Sequence, residues 1–493
     1  MRAVILVIWI LSSCIASGQT FNELYDNKGN LEIWHSILDN PESNSIVVMG
    51  TSSNFDLVSV GLPFRQYDYT GTVAFSTVSG EIGLKYSGGV MAQDNSNNLY
   101  CIYQVLDTTI EGFYYPNGEI TIFKYNDVGT LLWNKTIIDT LHIEATLSAI
   151  FDDDTLCMTG FRNYQPTQTI SAFLYKVDTS GDSLSLHTYG HPDYDFIGNK
   201  LIRAQNGDFL IAGYAREGLN EDRLLLRIAP NGELLWYEIY EGEDMLGGTT
   251  DYFRSVIELE DGNIVCTGIY SQMGDYEGNL VKLTATGEVI WDAVYGNTGT
   301  ETFEEISWRN DTLFLGGTTS SNIASGKFDA WVMATDTSGN MLWSHTYNPD
   351  GVPDNEANDY LYDFTLTSDG GMAFCGWSSR ETQDAWIMKL DGNGLCDTAS
   401  CFPDLVGITP QVLQGTPAPR IFPNPVSDYL TIQNSVGNEL TWTMYNQYGQ
   451  TVLQVTSNGQ QGTMDCSHLP AGVYVIQAKS ERGIRFSDKL IKR

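Results

Sequence analysis

Few residues in this sequence combine in a pattern that is typical of catalysis. The chain has 6 histidines and contains no HExxH, GxSxG or phosphate-loop motif and no pair of CxxC motifs. His191, in the segment GHPDYDF, is the histidine best placed to reach a ligand. His187 and His345 follow turn glycines at a position that is lysine, glutamate or alanine elsewhere, so we expect both on a solvated strand face. We therefore predict no catalytic residue, no metal site and no cofactor.

Two segments are weaker candidates for ligand binding. The segment NPDGVPDNEANDY is rich in carboxylates, whose oxygens suit calcium, but its spacing is not that of an EF-hand. Its acidic residues are Asp350, Asp354, Glu356 and Asp359. The aromatic residues 113–115, in GFYYPNG, could stack on a sugar ring, although such residues commonly form the strand beside a turn. We expect ordinary solvated turns at 152–154 and 391–394.

The charge balance excludes several classes of partner. Lys and Arg number 26 against 61 Asp and Glu, which gives a formal net charge of -35. A protein with this field repels the phosphates of nucleic acids and anionic lipid surfaces. We predict no nucleic-acid partner, and the composition is typical of a soluble extracellular protein.

Six of the cysteines fall into two groups. Of the 8 cysteines, four lie inside short apolar runs of different repeats and are predicted to be buried thiols. They are Cys101, Cys157, Cys266 and Cys375. Cys396 and Cys401, in GLCDTASC, would close a short loop, and a disulfide between them is a prediction suited to a secreted protein.

The first residues are typical of a secretory signal peptide. One arginine precedes an apolar run from Ala3 to Leu11, and small residues follow it. The run is too short to span a bilayer, and no later segment is long and apolar enough to do so. Residues 1–18 are the predicted signal, with cleavage after Gly18. An alternative is a lipoprotein signal, because LSSC ending at Cys14 resembles a lipobox.

A nine-residue segment recurs along the chain: GELLWYEIY at 232–240, GEVIWDAVY at 287–295 and GNMLWSHTY at 339–347. Its glycine follows a polar hairpin turn, and copies of that turn are separated by 49 to 55 residues. The aligned glycines are Gly80, Gly129, Gly181, Gly232, Gly287, Gly339 and Gly394. Alternating residues after each glycine predict a strand, and short apolar runs before it, such as IVCTG and MAFCG, predict buried strands.

Four strands in each unit of about fifty residues predict a β-propeller over residues 19–395. The count favours seven blades, with six or eight left open. The last repeat lacks its fourth strand, whereas Phe21 and Tyr25 near the N-terminus have the same four-residue spacing of aromatics. We therefore predict that this N-terminal strand completes the last blade. Trp236, Trp291 and Trp343 are interpreted as buried plugs between blades.

After the propeller, residues 396–417 form a predicted proline-rich linker, and residues 418–493 form a predicted small Ig-like β-sandwich. The fold class is thus all-β throughout. Glycines at 449 and 472 are expected in turns that reject side chains.

This tail resembles the type A sorting domain that carries Bacteroidota proteins through the type IX secretion system. The matching residues are Pro423, Asn424, Pro425, Asp428, Tyr445, Gly449, Leu469, Pro470, Ala471, Gly472, Tyr474 and Lys489. The resemblance implies export to the periplasm, recognition by the type IX machinery at the outer membrane, removal of the tail, and release or attachment at the cell surface. It implies nothing about the activity of the propeller, whose repeats resemble those that precede such tails in other Bacteroidota.

Two functions remain open for the propeller. The first is a monomeric, non-enzymatic binding or adhesion module whose extracellular ligand is a glycan or a protein. The alternative is a carbohydrate-active hydrolase or lyase with its site at the central channel; a quinoprotein is disfavoured, because no cofactor-clamping residues can be placed. Several carboxylates and a histidine at the channel mouth would favour the enzyme, and a ring of aromatics would favour the binding module.

Overall fold

The computed structural model contains strands and turns, and no helix occurs in the residues that it describes. It describes residues 19–27, 30–53, 59–79, 85–107, 115–138, 142–164, 169–240, 250–272, 275–296, 299–320, 326–349, 357–379, 382–396, 420–422, 425–433, 440–446, 451–457, 461–480 and 483–493. The predicted signal peptide and almost all of the predicted linker therefore lie outside the description. No helix in the described ranges has the length and apolar character needed to cross a membrane.

Seven four-stranded antiparallel sheets form the blades of a propeller. The first three blades are β2 (Leu31–Asn40), β3 (Ser45–Ser53), β4 (Ser59–Asp68), β5 (Val73–Ser79); β6 (Lys85–Gln93), β7 (Leu99–Asp107), β8 (Tyr115–Tyr125), β9 (Leu131–Ile138); and β10 (His142–Asp152), β11 (Thr155–Tyr164), β12 (Thr169–Asp178), β13 (Ser183–Tyr189). The next three are β14 (Asp195–Arg203), β15 (Phe209–Glu217), β16 (Asn220–Ile228), β17 (Leu234–Tyr240); β18 (Tyr252–Glu258), β19 (Ile264–Gln272), β20 (Asp275–Leu283), β21 (Val289–Tyr295); and β22 (Glu301–Arg309), β23 (Thr312–Thr319), β24 (Asp329–Asp336), β25 (Met341–Tyr347). Blade 7 contains β26 (Asp359–Leu366), β27 (Met372–Ser379) and β28 (Gln383–Leu390), with β1 (Phe21–Tyr25) as its outermost strand. The prediction of an all-β, seven-bladed propeller is confirmed.

The alternation of burial explains why each segment takes its place in a blade. Second strands such as β3 are buried on both faces, because each lies between two neighbouring sheets. Outermost strands such as β13 alternate between exposed and half-buried residues, because one face meets solvent. Cys101, Cys157, Cys266 and Cys375 are buried free thiols, as the apolar runs around them predicted.

The N-terminal strand and the last strands of the propeller form one sheet. In the antiparallel register of β1 and β28, Phe21 lies opposite Lys389 and Tyr25 opposite Ala385. The Trp386 indole donates a hydrogen bond to Asn22 Oδ1 at 2.7 Å, and the ring of Phe21 stacks on Tyr67 of blade 1 at 5.6 Å. The two ends of the propeller sequence therefore close the ring without an open edge between blades 7 and 1.

The repeated nine-residue segment joins each blade to the next. In blades 1, 2 and 6 the aromatic four residues after the turn glycine lies against the turn glycine of the following blade, so a Cβ on Gly394 would lie 2.8 Å from the Trp343 ring. In blade 3 that position is Ser185, and His187 lies against Gly232 instead. The tyrosine eight residues after the glycine donates a hydrogen bond to the carbonyl of the next blade's turn glycine: Tyr347 Oη lies 2.6 Å from Gly394 O. These turn glycines have positive φ, +77° at Gly394, which is a second reason why the position favours glycine.

Two details of the repeat differ from the prediction. The turn glycine of blade 1 is Gly71, with φ of +87° and its N–H bonded to Asp68 O, whereas Gly80 lies outside the described residues. Phe75 therefore occupies the aromatic position, and it lies against Gly129 of blade 2. The spacing misled because the extra residues of the repeat that ends at Gly129 lie within blade 2, between Asp107 of β7 and Tyr115 of β8.

The tryptophans of the repeat are half-buried and are not the inaccessible plugs that were predicted. Trp236, Trp291 and Trp343 lie on outermost strands and are half-buried. The fully buried tryptophans of the propeller are on other strands: Trp34, Trp331 and Trp386. His345 is also buried, because it stacks on Trp343 at 5.0 Å, so its predicted position on a solvated face is wrong.

We expect Trp343→Ala to lower the free energy of unfolding by about 1–3 kcal/mol, less than the ~3–5 kcal/mol usual for a fully buried Trp. Trp343 is half-buried, so the substitution removes less apolar area from the core. Trp386→Ala is the matched comparison and should have the larger cost, because its side chain is fully buried. Urea unfolding of both variants measures the difference. Equal costs would contradict the half-buried position.

The C-terminal strands form two small sheets around a separate core. One sheet has the order β29 (Arg420–Phe422), β30 (Tyr429–Gln433), β33 (Gln461–Asp465). The other has the order β32 (Thr451–Ser457), β31 (Leu440–Tyr445), β34 (Gly472–Ser480), β35 (Gly483–Lys492). Trp442, Met444, Met464 and Ile476 are fully buried in their shared core. The predicted small β-sandwich is confirmed.

Candidate functional site

A β-bulge interrupts the innermost strand of most blades at the same place. Register shifts occur between Trp34 and Ser36, Thr146 and Ser148, Gly198 and Lys200, Phe303 and Glu305, and Leu361 and Asp363. A bulge leaves one residue unpaired and redirects the side chains around it. Each of these five blades therefore presents two successive residues near the centre of the ring, the bulged residue and the residue after it.

The residues after the bulges form a polar cluster in which Ser36 and Glu305 are buried and Lys200 and Asp363 are half-buried. Lys200 Nζ of blade 4 lies 2.6 Å from Glu305 Oε2 of blade 6, and Ser255 Oγ of blade 5 donates to Glu305 Oε1 at 2.6 Å. Because blade 5 separates blades 4 and 6, this pair must meet close to the ring axis. On the other side, Asp363 Oδ2 of blade 7 accepts hydrogen bonds from Ser36 Oγ and Ile37 N of blade 1, both at 2.9 Å.

This axial cluster connects neighbouring blades through hydrogen bonds and an ion pair. Burial opposes the charged form of Lys200, but the carboxylates of Glu305 and Asp363 outweigh it and raise the pKa of the amine. Burial raises the pKa of Glu305 and of Asp363, and Lys200 partly offsets the effect on both. Both carboxylates accept hydrogen bonds from neighbouring blades.

The bulged residues and their neighbours form a second group, which we call the mouth group. It consists of His35, Tyr214, Tyr252, Arg254, Glu304, Tyr360, Tyr362 and Trp377, on blades 4, 5, 6, 7 and 1. All eight side chains are half-buried or exposed, and Tyr362 is 40% exposed. Carboxylates are a minority here, and aromatic rings predominate.

Contacts connect the mouth group from blade to blade. The rings of Tyr214 and Tyr252 lie 5.4 Å apart, and the guanidinium of Arg254 lies 4.7 Å from the centre of the Tyr252 ring. Arg254 Nε pairs with Glu304 Oε2 at 3.2 Å. On blade 7 the rings of Tyr360 and Trp377 stack at 4.7 Å. The aromatic faces are therefore ordered by packing, and one ion pair lies among them.

His35 is the histidine of the mouth group. Its Nε2 lies 2.9 Å from Thr51 Oγ1, and its ring is stacked 6.2 Å from that of Tyr362. Burial lowers the pKa of His35 to about 4, so the imidazole is neutral at physiological pH. Burial raises the pKa of Tyr362, so its hydroxyl stays protonated. Sequence reasoning missed His35, because the strand around it shows no motif.

Of the candidates chosen from the sequence, none that the structure describes belongs to the mouth group. Of the acidic segment 350–359, the described part includes Asp359, a buried residue of β26, and the other three carboxylates lie outside the description. Phe113 and Tyr114 are likewise outside it, and Tyr115 begins β8. His191 lies beside Tyr194, Phe196 and Tyr237, and its Nδ1 accepts a hydrogen bond from Asp193 N at 3.1 Å.

The residues of the predicted sorting signal divide between core and surface. Leu469 and Tyr474 are buried, and Tyr474 Oη donates a hydrogen bond to Pro470 O at 2.8 Å. Asp428, Pro470, Ala471 and Gly472 are exposed, Pro425 and Tyr445 are half-buried, and Lys489 lies in β35. Pro423, Asn424 and Gly449 are outside the described residues.

Gly472 does not lie in the turn that was predicted. It is the first residue of β34, and a Cβ added there would meet only Tyr474 Cε2, at 3.9 Å. A side chain is therefore tolerated at this position, and the prediction that it would be rejected is wrong. The predicted disulfide remains a prediction: Cys396 is disulfide-bonded, and Cys401 lies beyond the described residues.

Comparison with known proteins identifies the C-terminal domain. Residues 420–493 match the family model for the secretion system C-terminal sorting domain. No curated protein matches the chain.

Several solved structures resemble the chain at low identity. PorZ of Porphyromonas gingivalis, a bacterial surface component of the type IX secretion system, is 12% identical with a TM-score of 0.41, and the match covers 91% of this chain and 58% of PorZ. A fungal alcohol oxidase of the AA5 family, in complex with copper, is 13% identical with a TM-score of 0.46, over 97% and 99% of the two chains. The polysaccharide lyase Uly1 is 10% identical with a TM-score of 0.44, over 73% and 90%. At such low sequence identities and TM-scores, these resemblances give no information about the function of this chain.

The fold and the tail together define a class of exported propeller proteins. A seven-bladed propeller precedes a sorting domain, and such a domain directs its passenger out of the cell. The chain is a propeller protein with a type IX secretion sorting domain, and the secretion machinery is the partner of that domain.

Proposed function

We propose that this protein is a non-enzymatic binding module from a member of the Bacteroidota, exported as a monomer and released or attached at the cell surface. The observation that carries the proposal is the aromatic mouth group, in which rings of blades 4, 5, 7 and 1 lie half-buried or exposed. Half-buried aromatic faces with a few polar groups beside them suit the apolar faces and hydroxyls of sugar rings. An extracellular glycan is therefore the proposed ligand.

The axial carboxylates argue against a glycoside hydrolase. Hydrolysis of a glycosidic bond needs two carboxyl groups that flank the bond, one of them available as an acid. Glu305 and Asp363 are occupied by bonds between blades, and Glu304 is paired with Arg254.

A lyase is the alternative that a specific observation favours. Elimination from an acidic sugar needs a base and a positive group that neutralises the sugar carboxylate. A neutral His35 stacked near Tyr362, with Arg254 in the same group, supplies residue types suited to both roles. A new carbon–carbon double bond in the product, detected by ultraviolet absorbance, would distinguish this activity from binding.

Glycan-array binding of the mature chain, residues 19–493, is the direct test. We expect Tyr252→Ala and Trp377→Ala each to weaken binding of the retained glycan about tenfold, the equivalent of ~1.4 kcal/mol. Tyr237→Ala, at a 36% exposed tyrosine on an outermost strand, is the matched control and should bind as the parent does. Unchanged binding in both mouth variants would contradict the site. Turnover of a polysaccharide would replace the proposal with the lyase.

A further inference from the structure

Pairs of carboxylates recur where one blade meets the next. One acid lies at the start of an innermost strand and the other on the third strand of the preceding blade. The pairs are Asp222 with Asp251, Glu277 with Glu301, Asp329 with Asp359, and Asp384 with Glu32. Glu32, Asp251, Glu301 and Asp359 are all fully buried. Such repeated burial of like charges is unfavourable unless a positive charge is present.

Local structure fixes the inner acid at each junction. Asp251 N donates to Glu221 O of the preceding blade at 2.8 Å, and Asp359 N donates to Phe328 O at 2.7 Å. A hydroxyl of the second strand holds one carboxylate oxygen, as Ser52 Oγ does for Glu32 Oε1 at 2.7 Å. The junction between blades 5 and 6 is tight, because a Cβ on Gly296 would collide with both Glu277 Oε2 and Glu301 Oε2.

The junction between blades 7 and 1 has the largest set of oxygens. Asp26, which directly follows the closing strand β1, joins Glu32 and Asp384, and one oxygen of each residue lies within 4.8 Å of the others. Glu32 Oε2 is buried and has no hydrogen-bond partner. Burial raises the pKa of Glu32, hydrogen bonds from Ser52 and the Asn27 backbone oppose that effect, and the charges of Asp26 and Asp384 add to it. A buried carboxylate oxygen thus lies in a cluster of like charges.

The junction between blades 4 and 5 and the junction between blades 7 and 1 differ in the residue at one register position. Arg223 of blade 4, in register with Tyr240, supplies a positive charge that favours the ionised form of Asp251. The equivalent residue of blade 7, in register with Tyr25, is Ala385. At the junction of blades 4 and 5, Arg223 therefore lies near the carboxylates of Asp222 and Asp251. At the junction of blades 7 and 1, three carboxylates meet and the equivalent register position is Ala385.

We propose that Asp26, Glu32 and Asp384 bind a calcium ion that secures the closing strand to blade 1. Hard oxygen ligands and an incomplete set of protein donors, filled by water, are typical of calcium sites in extracellular modules. Such modules bind calcium with dissociation constants of about 0.1–1 mM, which an exported protein meets outside the cell. The site lies at the seam where the two ends of the propeller sequence meet, so ion binding and ring closure are coupled.

Calorimetric titration of the calcium-free mature chain with CaCl2 tests the site. We expect Glu32→Gln to bind one calcium fewer per chain than the parent, and Asp384→Asn to do the same. Glu42→Gln is the matched control, because Glu42 is an exposed glutamate that accepts a hydrogen bond from Asn97. It should bind as many ions as the parent. An unchanged number of ions in the two junction variants, or no calcium bound by the parent, would overturn the proposal.

Thermal unfolding in EDTA distinguishes an ion site from a merely structural carboxylate. Without calcium, Glu32→Gln should melt above the parent, because the amide removes a buried charge beside two carboxylates and can still accept from Ser52. With calcium, the melting temperature of the parent should rise. The melting temperature of the variant should rise by less, because calcium no longer binds at this junction. A variant that melts below the parent in EDTA and responds equally to calcium would show that Glu32 serves only its hydrogen bond.

Discussion

Removal of residues 418–493 is expected to retain the protein in the periplasm while its propeller stays folded. The sorting domain has its own core, formed by residues such as Trp442 and Leu490, and the propeller ring is closed by β1 at its other end. Loss of the tail therefore removes the export signal and leaves the seven blades intact. Cell fractionation and protease treatment of whole cells measure the location, and resistance of the periplasmic protein to limited proteolysis measures its fold.

Two point variants of the tail test whether export depends on the fold of the sorting domain. Tyr474→Ala removes a buried ring and the hydrogen bond to Pro470 O, so the sandwich should unfold and export should fail. Gly472→Ala is the matched control: the added methyl group has room, and the variant should reach the cell surface in parental amounts. Normal surface arrival of the chain without residues 418–493 would show that the tail is not the export signal.

Deletion of Thr20 to Asp26 is expected to destabilise the propeller by at least about 5 kcal/mol, since more than one large buried contact is lost. Phe21 is 5% exposed and stacks on Tyr67, and Tyr25 stacks on the fully buried Trp34 at 5.2 Å. The deletion also leaves the edge of β28 unpaired, which favours association between chains. Thermal unfolding and light scattering, both in EDTA to exclude any effect of calcium, measure the two consequences.

Relocation of the same strand provides the control. In most repeats an aromatic follows the turn glycine by four residues, so the segment FNELY would be in register after Gly394 if it replaced residues 398–402. We expect this replacement, with Cys396→Ser to avoid a lone thiol, to restore stability to the deleted chain. A deleted chain that melts as the parent does and remains monodisperse would show that β1 does not close the ring.

The sequence by itself determined the repeated elements of this protein. The period of about fifty residues, the polar turn before each glycine and the aromatics after it predicted four strands per unit and a propeller, and the seven sheets follow that pattern. The spacing of Phe21 and Tyr25 indicated the closing strand, and the motifs from Pro423 to Lys489 indicated the sorting domain. These features are local, because turn chemistry and alternation act between residues that are near in sequence.

Only the tertiary structure decided which residues meet at the centre and at the junctions. Lys200 and Glu305 are far apart in sequence, and their contact depends on a bulge in each of two strands and on the angle between blades. The burial of His345, the partial exposure of Trp343 and the convergence of Asp26 with Glu32 and Asp384 likewise depend on the neighbouring blade. No period in the sequence encodes such contacts, because each blade is specified by its own strands, whereas every site between blades is created by closure of the ring.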